Sequence, residues 1–216
     1  MNIKIRRDIE QRTDEWMQVK SGKTSGSGFK PIISSRTPAP LKTYAYNLIA
    51  QAEDKHPKKY VGGYLNASVQ WGVDMEEYAI SAFERAYDVI VEDVGWVEPL
   101  RKSLAGQCGY SPDGIISIYE HIEVKCLDTK NHIKCIIEDS YPDEYKPQVL
   151  NYFVCNPDLE KVYFILYDPR VKTKKHWLFV KEINRSEIFK EIIVANNKLS
   201  AFLELKNELH TKYKSV

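Results

Sequence analysis

Residues 109–126 combine a tight-turn signature with a strand whose two faces differ in chemistry. Near its start the segment contains Ser-Pro-Asp-Gly, which includes Asp113, and near its end it contains Glu-Val-Lys, which includes Glu123 and Lys125. Alternate residues of a strand point to opposite sides of the sheet, so Glu123 and Lys125 share one side. The other side is apolar and carries Ile122, Val124 and Cys126. The segment therefore predicts a hairpin with an apolar face opposite an acid and an amine.

Two carboxylates and a lysine on one hairpin favour a divalent-metal site. Carboxylate oxygens are suitable ligands for hard cations such as Mg²⁺. A bound metal and a nearby ammonium group together lower the cost of forming hydroxide beside a phosphate. Asp113, Glu123 and Lys125 thus fit phosphodiester hydrolysis. The alternative interpretation is an ordinary solvated face, since Glu-x-Lys by itself is a common pattern.

The placement of Asp113 depends on the length of the hairpin turn. A two-residue turn at Tyr119 and Glu120 would put Asp113 on the face opposite Glu123. A shared metal therefore requires an odd-length turn, a bulge, or a bend at Asp113 before the strand begins. Pro112 and Gly114 flank Asp113 and favour such a bend.

A third acid lies in residues 66–87, which read as a helix. Glu76 falls on the apolar stripe of this helix, whereas its neighbour Glu77 does not. A carboxylate on a core-facing stripe is costly unless it is paired or bound to a cation. Glu76 is therefore either a buried acid satisfied by an arginine or by backbone donors, or a third acid of the metal site. The stripe consists of Val69, Val73, Ile80, Phe83 and Tyr87.

The small, polar segment GKTSGSG at residues 22–28 has more than one interpretation. It is either a plain linker, a phosphate-cradling loop, or the start of a helix. In the last case Thr24 and Ser25 are the predicted caps, and Ser27 with free backbone amides could hold an anion. The segment lacks the Gly-x4-Gly-Lys-Ser/Thr spacing of a nucleotide-binding P-loop.

Composition excludes several classes of protein. A chain of 216 residues is long enough for one sizeable core and short for two. No apolar run approaches the roughly 20 residues that cross a membrane, and the first residues lack the apolar core of a secretory signal. The four cysteines are scattered without a CxxC pair, which predicts free thiols in a reducing compartment.

The formal net charge is only +1, so DNA binding requires local basic patches. Candidate patches, each of which is also readable as a solvated loop, are Lys20 with Lys23, residues 55–59 and residues 172–175.

The order of expected elements is helices, strands, helices, strands and a final helix, which predicts a mixed α/β domain with a central sheet. Helices are expected at residues 41–53, 66–87, 129–137, 143–153 and 186–213. Strands are expected at residues 88–97, 104–108, 114–118, 122–126, 161–167 and 176–181.

Six short blocks occur in the order of one known nuclease family. They are EWMQVKSGKTSGS (15–27), WGVDMEE (71–77), SPDG (111–114), IEVKC (122–126), YKPQVLNY (145–152) and YDPR (167–170). With these blocks the chain resembles the phage lambda exonuclease and YqaJ-type viral recombinase family of the PD-(D/E)xK superfamily. The resemblance implies a restriction-endonuclease-like core, in which helices flank a central mixed β-sheet.

The resemblance also implies one nuclease domain over residues 1–216. Its N-terminal helical part, about residues 1–65, would contribute to binding the 5′ end of DNA. The core would span about residues 66–182, and a C-terminal helix about residues 186–213.

Roles in catalysis follow from the resemblance. Asp113 and Glu123 correspond to metal-binding carboxylates, and the main-chain carbonyl of Val124 corresponds to a further ligand. Lys125 corresponds to the lysine that orients or activates the attacking water. The helix-borne acid that completes the site corresponds to Glu76. The glutamine near the metals and the scissile phosphate corresponds to Gln148.

A pocket for the 5′-terminal phosphate is implied at Lys20, Ser27 and Ser111. Lys20 stands where the family has an arginine. It keeps the positive charge but loses the two-pronged grip of a guanidinium on phosphate.

The activity implied by the resemblance is 5′–3′ exonuclease action on linear double-stranded DNA with Mg²⁺ or Mn²⁺. Mononucleotides would be released, and single-stranded 3′ tails would remain for recombination. The implied partners are DNA ends, two further copies in a trimeric ring and a single-strand annealing protein. The implied location is the cytoplasm of a bacterial host that carries the phage or prophage, with no membrane association.

Three alternatives remain open. An endonuclease of the same superfamily would use the same metal chemistry. A non-catalytic DNA-binding scaffold for recombination would keep the fold without the reaction, although all the acidic and lysine positions are present. A phosphate-handling enzyme built around GKTSGSG would hydrolyse nucleotides without DNA.

Overall fold

The computed structural model describes residues 2–56 and 67–216. This part of the chain contains seven α-helices: α1 (Asp14–Lys20), α2 (Lys30–Ser34), α3 (Pro38–Glu53), α4 (Ala67–Tyr87), α5 (Thr129–Ile137), α6 (Lys146–Cys155) and α7 (Phe189–Lys214). It also contains six strands: β1 (Ile3–Arg6), β2 (Trp96–Pro99), β3 (Gly114–Ile115), β4 (Glu120–Lys125), β5 (Lys161–Tyr167) and β6 (Leu178–Asn184).

The central sheet is mixed and has the strand order β3-β4-β5-β6. Strands β4 and β5 are parallel, whereas β3 and β6 pair antiparallel to their neighbours. A parallel pair needs a long crossover, and the segment that carries α5 and α6 provides it. Strands β1 and β2 form a separate antiparallel pair. The mixed α/β fold with a central sheet is therefore confirmed.

The two faces of the sheet belong to two apolar clusters. On one face, Ile122 and Val124 pack with Ala79 and Phe83 of α4. On the other face, alternate residues of β5 join a larger cluster with α6 and α7, formed by residues such as Val162, Phe164, Leu166, Tyr152, Phe153, Phe202 and Leu203. The sheet thus lies between α4 and the α6–α7 layer, and Glu123 and Lys125 are on the α6 side.

Local signals account for several helix ends. The side chain of Thr13 accepts a hydrogen bond from the main-chain N–H of Trp16 and caps α1. Asp128 caps α5 in the same way. Helix α6 has a proline in its first turn. At its C-terminal end, the guanidinium of Arg185 donates to the main-chain oxygens of Phe153 and Asn156.

Most expected elements are present with shifted ends. The helix at 129–137 and the strand at 161–167 have the expected bounds. The helix expected at 41–53 begins at Pro38, because proline is favoured in a first helical turn. The helix expected at 143–153 is a short 3-10 turn, Asp143–Tyr145, followed by α6. Strands expected at 114–118, 122–126 and 176–181 are β3, β4 and β6.

Two expected strands are wrong, and one of the interpretations of GKTSGSG is not borne out. The strand expected at 88–97 is reduced to its last two residues in β2, and only a lone bridge joins Glu92 to Ile115. Residues 104–107 form turns instead of a strand. The GKTSGSG segment starts no helix, because the main chain of Thr24 bridges to Cys108 and α2 begins at Lys30 without a side-chain cap. Strand β1, which was not expected, pairs with β2 and so draws that segment away from the central sheet.

Some expectations fall on residues that the structure leaves undescribed. Residue 66 of the expected helix and Lys58 and Lys59 of a basic patch lie outside the described residues. Within residues 2–56 and 67–216, no helix combines the length and the apolar character needed to cross a membrane.

Candidate active site

The hairpin turn between Asp113 and Glu123 has an odd length. The main-chain N–H of Ile116 bonds to the oxygen of Glu120, so three residues, 117–119, form the turn. The register pairs Gly114 with Ile122, and the N–H of Asp113 bonds to the oxygen of Ile122 at 3.2 Å. Continued by one residue, this register sets Asp113 opposite Glu123. Directly opposed residues of an antiparallel pair share a face, so the odd-length turn that a shared metal requires is present.

The ammonium group of Lys125 lies among the oxygens of three predicted metal ligands. It contacts Oε1 of Glu123 and lies 3.0 Å from the main-chain oxygen of Val124. It is also 4.0 Å from Oδ2 of Asp113. The positively charged group that these oxygens surround is therefore the ammonium of Lys125. Hard oxygen donors in such a cluster fit Mg²⁺ or Mn²⁺.

The cluster depends on the main-chain carbonyl as well as on side chains. Among the described residues, no three His, Cys, Asp or Glu side chains are grouped closely enough to hold a metal ion. Asp113 and Glu123 supply two carboxylates, and the carbonyl of Val124 supplies the third oxygen near Lys125. Glu76 is not part of this close group.

Glu123 is fully buried and surrounded by hydrogen-bond donors. Its Oε1 accepts from the side-chain amide of Gln148 at 2.6 Å as well as from Lys125. Its Oε2 accepts from the hydroxyl of Tyr152. Burial is the main cause that raises the pKa of Glu123, to about 7, and the charge of Asp113 adds to it. The charge of Lys125 and the hydrogen bonds from Lys125 and Tyr152 favour the ionised carboxylate and so oppose this rise.

Asp113 is fixed from two directions. Its Oδ2 accepts a hydrogen bond from the main-chain N–H of Val124 at 2.7 Å, which ties it to β4. The preceding residue, Pro112, has its main-chain oxygen bound by the side-chain amide of Gln11 at 2.7 Å. The same amide reaches the oxygen of Val94 at 2.9 Å. Gln11 thus joins the N-terminal segment to the bend that carries Asp113.

Glu76 combines features of both interpretations proposed from the sequence. Its Oε2 lies 2.6 Å from Nη2 of Arg12, so it is an acid paired with an arginine. It also lines, together with Asp113, a cavity of about 680 Å³. Burial raises the pKa of Glu76, the charge of Asp113 raises it further, and Arg12 lowers it. Glu77 is exposed, as expected, and the buried centre of the helix stripe is formed by Ala79 and Phe83.

Lys20 and Ser27 line one cavity of about 650 Å³ between α1, the GKTSGSG segment and α3. The ammonium of Lys20 lies 3.4 Å from the ring centroid of Trp16, which is a cation–π contact. Within residues 2–56 and 67–216, Lys20 has no ion pair with a carboxylate. Burial lowers the pKa of Lys20 to about 8. A desolvated ammonium that faces a cavity is suited to an anionic ligand.

Ser111 is near these residues but is not among those that line the cavity. Its hydroxyl donates to the main-chain oxygen of Gly95 at 2.7 Å and accepts from the indole N–H of Trp16 at 2.7 Å. The structure therefore brings Lys20 and Ser27 together directly, and it connects Ser111 to Lys20 through Trp16.

Several residues of the site were not singled out from the sequence. Tyr152 lies one helical turn after Gln148, and Trp16 lies at the start of the first matching block, so both were within segments already identified. Gln11 and Arg12 precede that block. Gln11 contacts Pro112, which is 101 positions away in the chain, and Arg12 contacts Glu76, which is 64 positions away. No local sequence pattern signals such distant contacts.

The YDPR block forms a structural junction. Asp168 is buried and accepts from Thr129 at 2.6 Å and from Nε of Arg170 at 2.7 Å. The guanidinium of Arg170 lies 4.2 Å from the ring centroid of Trp71 in α4. It also donates to the main-chain oxygen of Leu127. The block thus joins the end of β5 to α4, α5 and the segment that follows Lys125.

Residues 15–156 match the family model of the YqaJ-like viral recombinase domain. The chain belongs to this family. The matched region includes the proposed acids, Lys125, Gln148 and the phosphate-pocket residues. No curated protein sequence matches the chain significantly.

Solved structures of exonucleases share the fold of this YqaJ family member. The alkaline exonuclease LHK-Exo from Laribacter hongkongensis is similar with a TM-score of 0.78 and 26% identity, over 94% of this chain and 97% of that one. LHK-Exo in complex with dAMP is similar with a TM-score of 0.73 and 24% identity, over 94% and 99%. A phage-related exonuclease from Haemophilus somnus 129PT gives 0.55 and 14% identity, over 88% and 96%.

The core of this YqaJ family member is therefore that of an alkaline exonuclease of the PD-(D/E)xK type. Family membership and the likeness to LHK-Exo together support exonuclease activity for the chain.

Proposed function

We propose that the protein is a Mg²⁺- or Mn²⁺-dependent 5′–3′ exodeoxyribonuclease that acts on linear double-stranded DNA. It releases mononucleotides and leaves single-stranded 3′ tails. The observation that carries the proposal is the cluster of oxygens from Asp113, Glu123 and Val124 around the ammonium of Lys125. This cluster lies on the hairpin of a fold shared with exonucleases.

Asp113, Glu123 and the carbonyl of Val124 would hold the cation, and Glu76, which lines a cavity together with Asp113, would complete the site. When bound, the cation supplies Lewis-acid chemistry that activates water and stabilises charge on the phosphate. The ammonium of Lys125, which lies beside Glu123 and the carbonyl of Val124, would orient the attacking water. The side-chain amide nitrogen of Gln148 donates to Glu123 and lies 3.3 Å from the hydroxyl of Tyr152.

A separate pocket suited to an anion supports the proposed 5′ polarity. Lys20 and Ser27 would bind the terminal 5′-phosphate, with the ammonium providing charge and the hydroxyl a hydrogen bond. Ser111 would contribute from beside Trp16. A smaller cavity is lined by Ser27 of this pocket and by Tyr145 and Gln148, of which Gln148 contacts Glu123. A strand bound by its 5′-phosphate would thus place a phosphodiester near Glu123.

The resemblance extends the proposal to organisation and partners. Residues 1–216 would act as one nuclease domain, with the N-terminal part contributing to the DNA end. Three copies would form a ring around the duplex, and a single-strand annealing protein would receive the 3′ tails. The site of action would be the cytoplasm of a bacterial host that carries the phage or prophage.

Digestion of linear duplex DNA labelled separately at each 5′ and 3′ end tests activity and direction together. With Mg²⁺, we expect early release of the 5′ label as a mononucleotide and late release of the 3′ label. A chelator should abolish both. Closed circular DNA is the control, because an exonuclease leaves it intact. Cleavage of the circle would favour an endonuclease, and binding without any cleavage would favour a non-catalytic scaffold.

A further inference from the structure

Arg12 stands beside the proposed reaction centre. It lies between β1 and α1, and its guanidinium is paired with Glu76 of α4, with 2.6 Å between Nη2 and Oε2. Both side chains line the cavity of about 680 Å³ that also includes Asp113. The side chain of Arg12 is 40% exposed, so its remaining donors can reach a ligand in this cavity.

The main chain at Arg12 adopts a conformation that is energetically unfavourable. Its φ of 66° is in the left-handed region, which is unfavourable for a residue with a side chain, by about 1 kcal/mol. Anchors on both sides maintain the conformation. Gln11 bonds to the oxygens of Val94 and Pro112, and the hydroxyl of Thr13 bonds to the oxygen of Glu10. The fold therefore specifies where the guanidinium of Arg12 is placed.

Arg7, the other arginine that lines this cavity, already forms hydrogen bonds to both carboxylate oxygens of Glu92. Arg7 donates to Oε1 and Oε2 of Glu92, at 2.5 Å and 3.1 Å. Arg12 has one hydrogen bond to Glu76 among the described residues, which leaves the rest of its guanidinium fork unused. A planar fork of this kind matches the oxygens of a phosphate group.

We propose that Arg12 is a phosphate-binding residue of the active site that pairs with Glu76 only until a divalent cation binds there. The inference rests on the proposed function, because it requires a cation near Glu76. A divalent cation would satisfy the charge of Glu76 and repel the guanidinium of Arg12. A phosphate of the DNA strand in the same cavity then becomes the most favourable partner of Arg12. Arg12 and the cation therefore compete for Glu76, and DNA and the cation assist each other.

Titration calorimetry with Mg²⁺ and the full, metal-free chain tests the competition. Arg12→Gly removes the guanidinium and adopts a positive φ without strain. Arg12→Asn is a second variant that also tolerates this conformation. Because exposed ion pairs are weak, we expect both to bind Mg²⁺ about two- to fivefold more tightly than the wild type. Arg7→Ala, from the same cavity wall, should bind Mg²⁺ as the wild type does.

DNA binding in Mg²⁺ tests the phosphate contact. The probe is a 5′-phosphorylated duplex whose terminal linkages are phosphorothioates, so that hydrolysis is slow. Arg12→Gly should bind it more weakly, and the slope of log Kd against log salt should be shallower by about 0.9, the value for one lost phosphate contact. Arg12→Lys should restore most of the slope because it keeps the charge, and Arg7→Ala should leave it unchanged.

Two results would overturn the inference. Equal or weaker Mg²⁺ binding by Arg12→Gly and Arg12→Asn would mean that Arg12 only holds Glu76 in place. An unchanged salt slope would remove Arg12 from contact with phosphate. Absence of Mg²⁺ binding by the wild type is a different result, because it would refute the proposed metal site itself.

Discussion

The hydroxyl of Tyr152 donates a hydrogen bond to the carboxylate of Glu123 and so joins α6 to β4 inside the core. The same hydroxyl lies 3.1 Å from the main-chain oxygen of Ser111, in the segment that precedes Asp113. Tyr110 stacks on Tyr152 with 4.3 Å between ring centroids. The buried side chain of Tyr152 therefore fixes the position of the Glu123 carboxylate. Residues that hydrogen-bond to metal ligands commonly have this role.

Tyr152→Phe should lower kcat about tenfold or more, because loss of a partner that orients a metal ligand typically costs 10- to 100-fold in activity or metal affinity. Tyr163→Phe is the matched control. Tyr163 also donates to a glutamate of β4, Glu120 at 3.0 Å, but it packs on the opposite face of the sheet. Initial rates on linear duplex check the prediction. Equal losses in both variants would indicate a general effect on the strand instead of an effect on Glu123.

Glu76→Gln should reduce nuclease activity by at least about tenfold, because the neutral amide cannot supply charge to the cation. Glu77→Gln should have no effect, since Glu77 is the exposed neighbour on the same helix. The comparison is made at saturating DNA over a range of Mg²⁺ concentrations. Activity of Glu76→Gln equal to that of Glu77→Gln would remove Glu76 from the site.

Preference for a 5′-phosphate should decline as the pH rises through about 8. Burial lowers the pKa of Lys20 to about 8, so its ammonium charge is present below this pH and is lost above it. The ratio of kcat/KM for 5′-phosphorylated and 5′-hydroxyl duplexes, measured from pH 7 to about 9.5, reports this directly. Lys20→Arg should keep the preference over the whole range, because a guanidinium stays charged. A preference that is independent of pH in the wild type would contradict the loss of the Lys20 charge near pH 8.

The lowered pKa of Lys20 also affects the stability of the protein without DNA. The unfolded chain has the ordinary lysine pKa of 10.5, whereas the folded chain has a value of about 8. Between these values the unfolded state binds more protons, so the contribution of Lys20 to stability increases as the pH rises. The difference in free energy of unfolding between wild type and Lys20→Met, measured by urea denaturation, should follow this trend.

Asp168→Ala should lower the free energy of unfolding by about 2–3 kcal/mol, because it leaves the donors of Thr129 and Arg170 without their buried acceptor. Asp143→Ala is the control. Asp143 also pairs with a basic residue, Lys146, but its side chain is 88% exposed, so no measurable change is expected. Urea denaturation followed by circular dichroism measures both. A loss no larger than that of the control would mean that the junction around Asp168 does not stabilise the fold.

Sequence alone determined what depends on the local period of the chain. Alternation placed Glu123 and Lys125 on one side of a strand and the apolar residues on the other, as the structure has them. It also defined the helix Thr129–Ile137 and the strand Lys161–Tyr167. These features follow from backbone geometry within a few residues. The order of the six motifs along the sequence indicated the nuclease family.

Tertiary structure decided which segments meet. The three-residue turn placed Asp113 opposite Glu123, pairing with β1 drew β2 away from the central sheet, and packing brought Arg12 to Glu76 across sixty-four positions. Periodicity does not encode these choices, because the partner of a strand edge or a charged side chain depends on the closure of long loops and on the burial that the whole core allows.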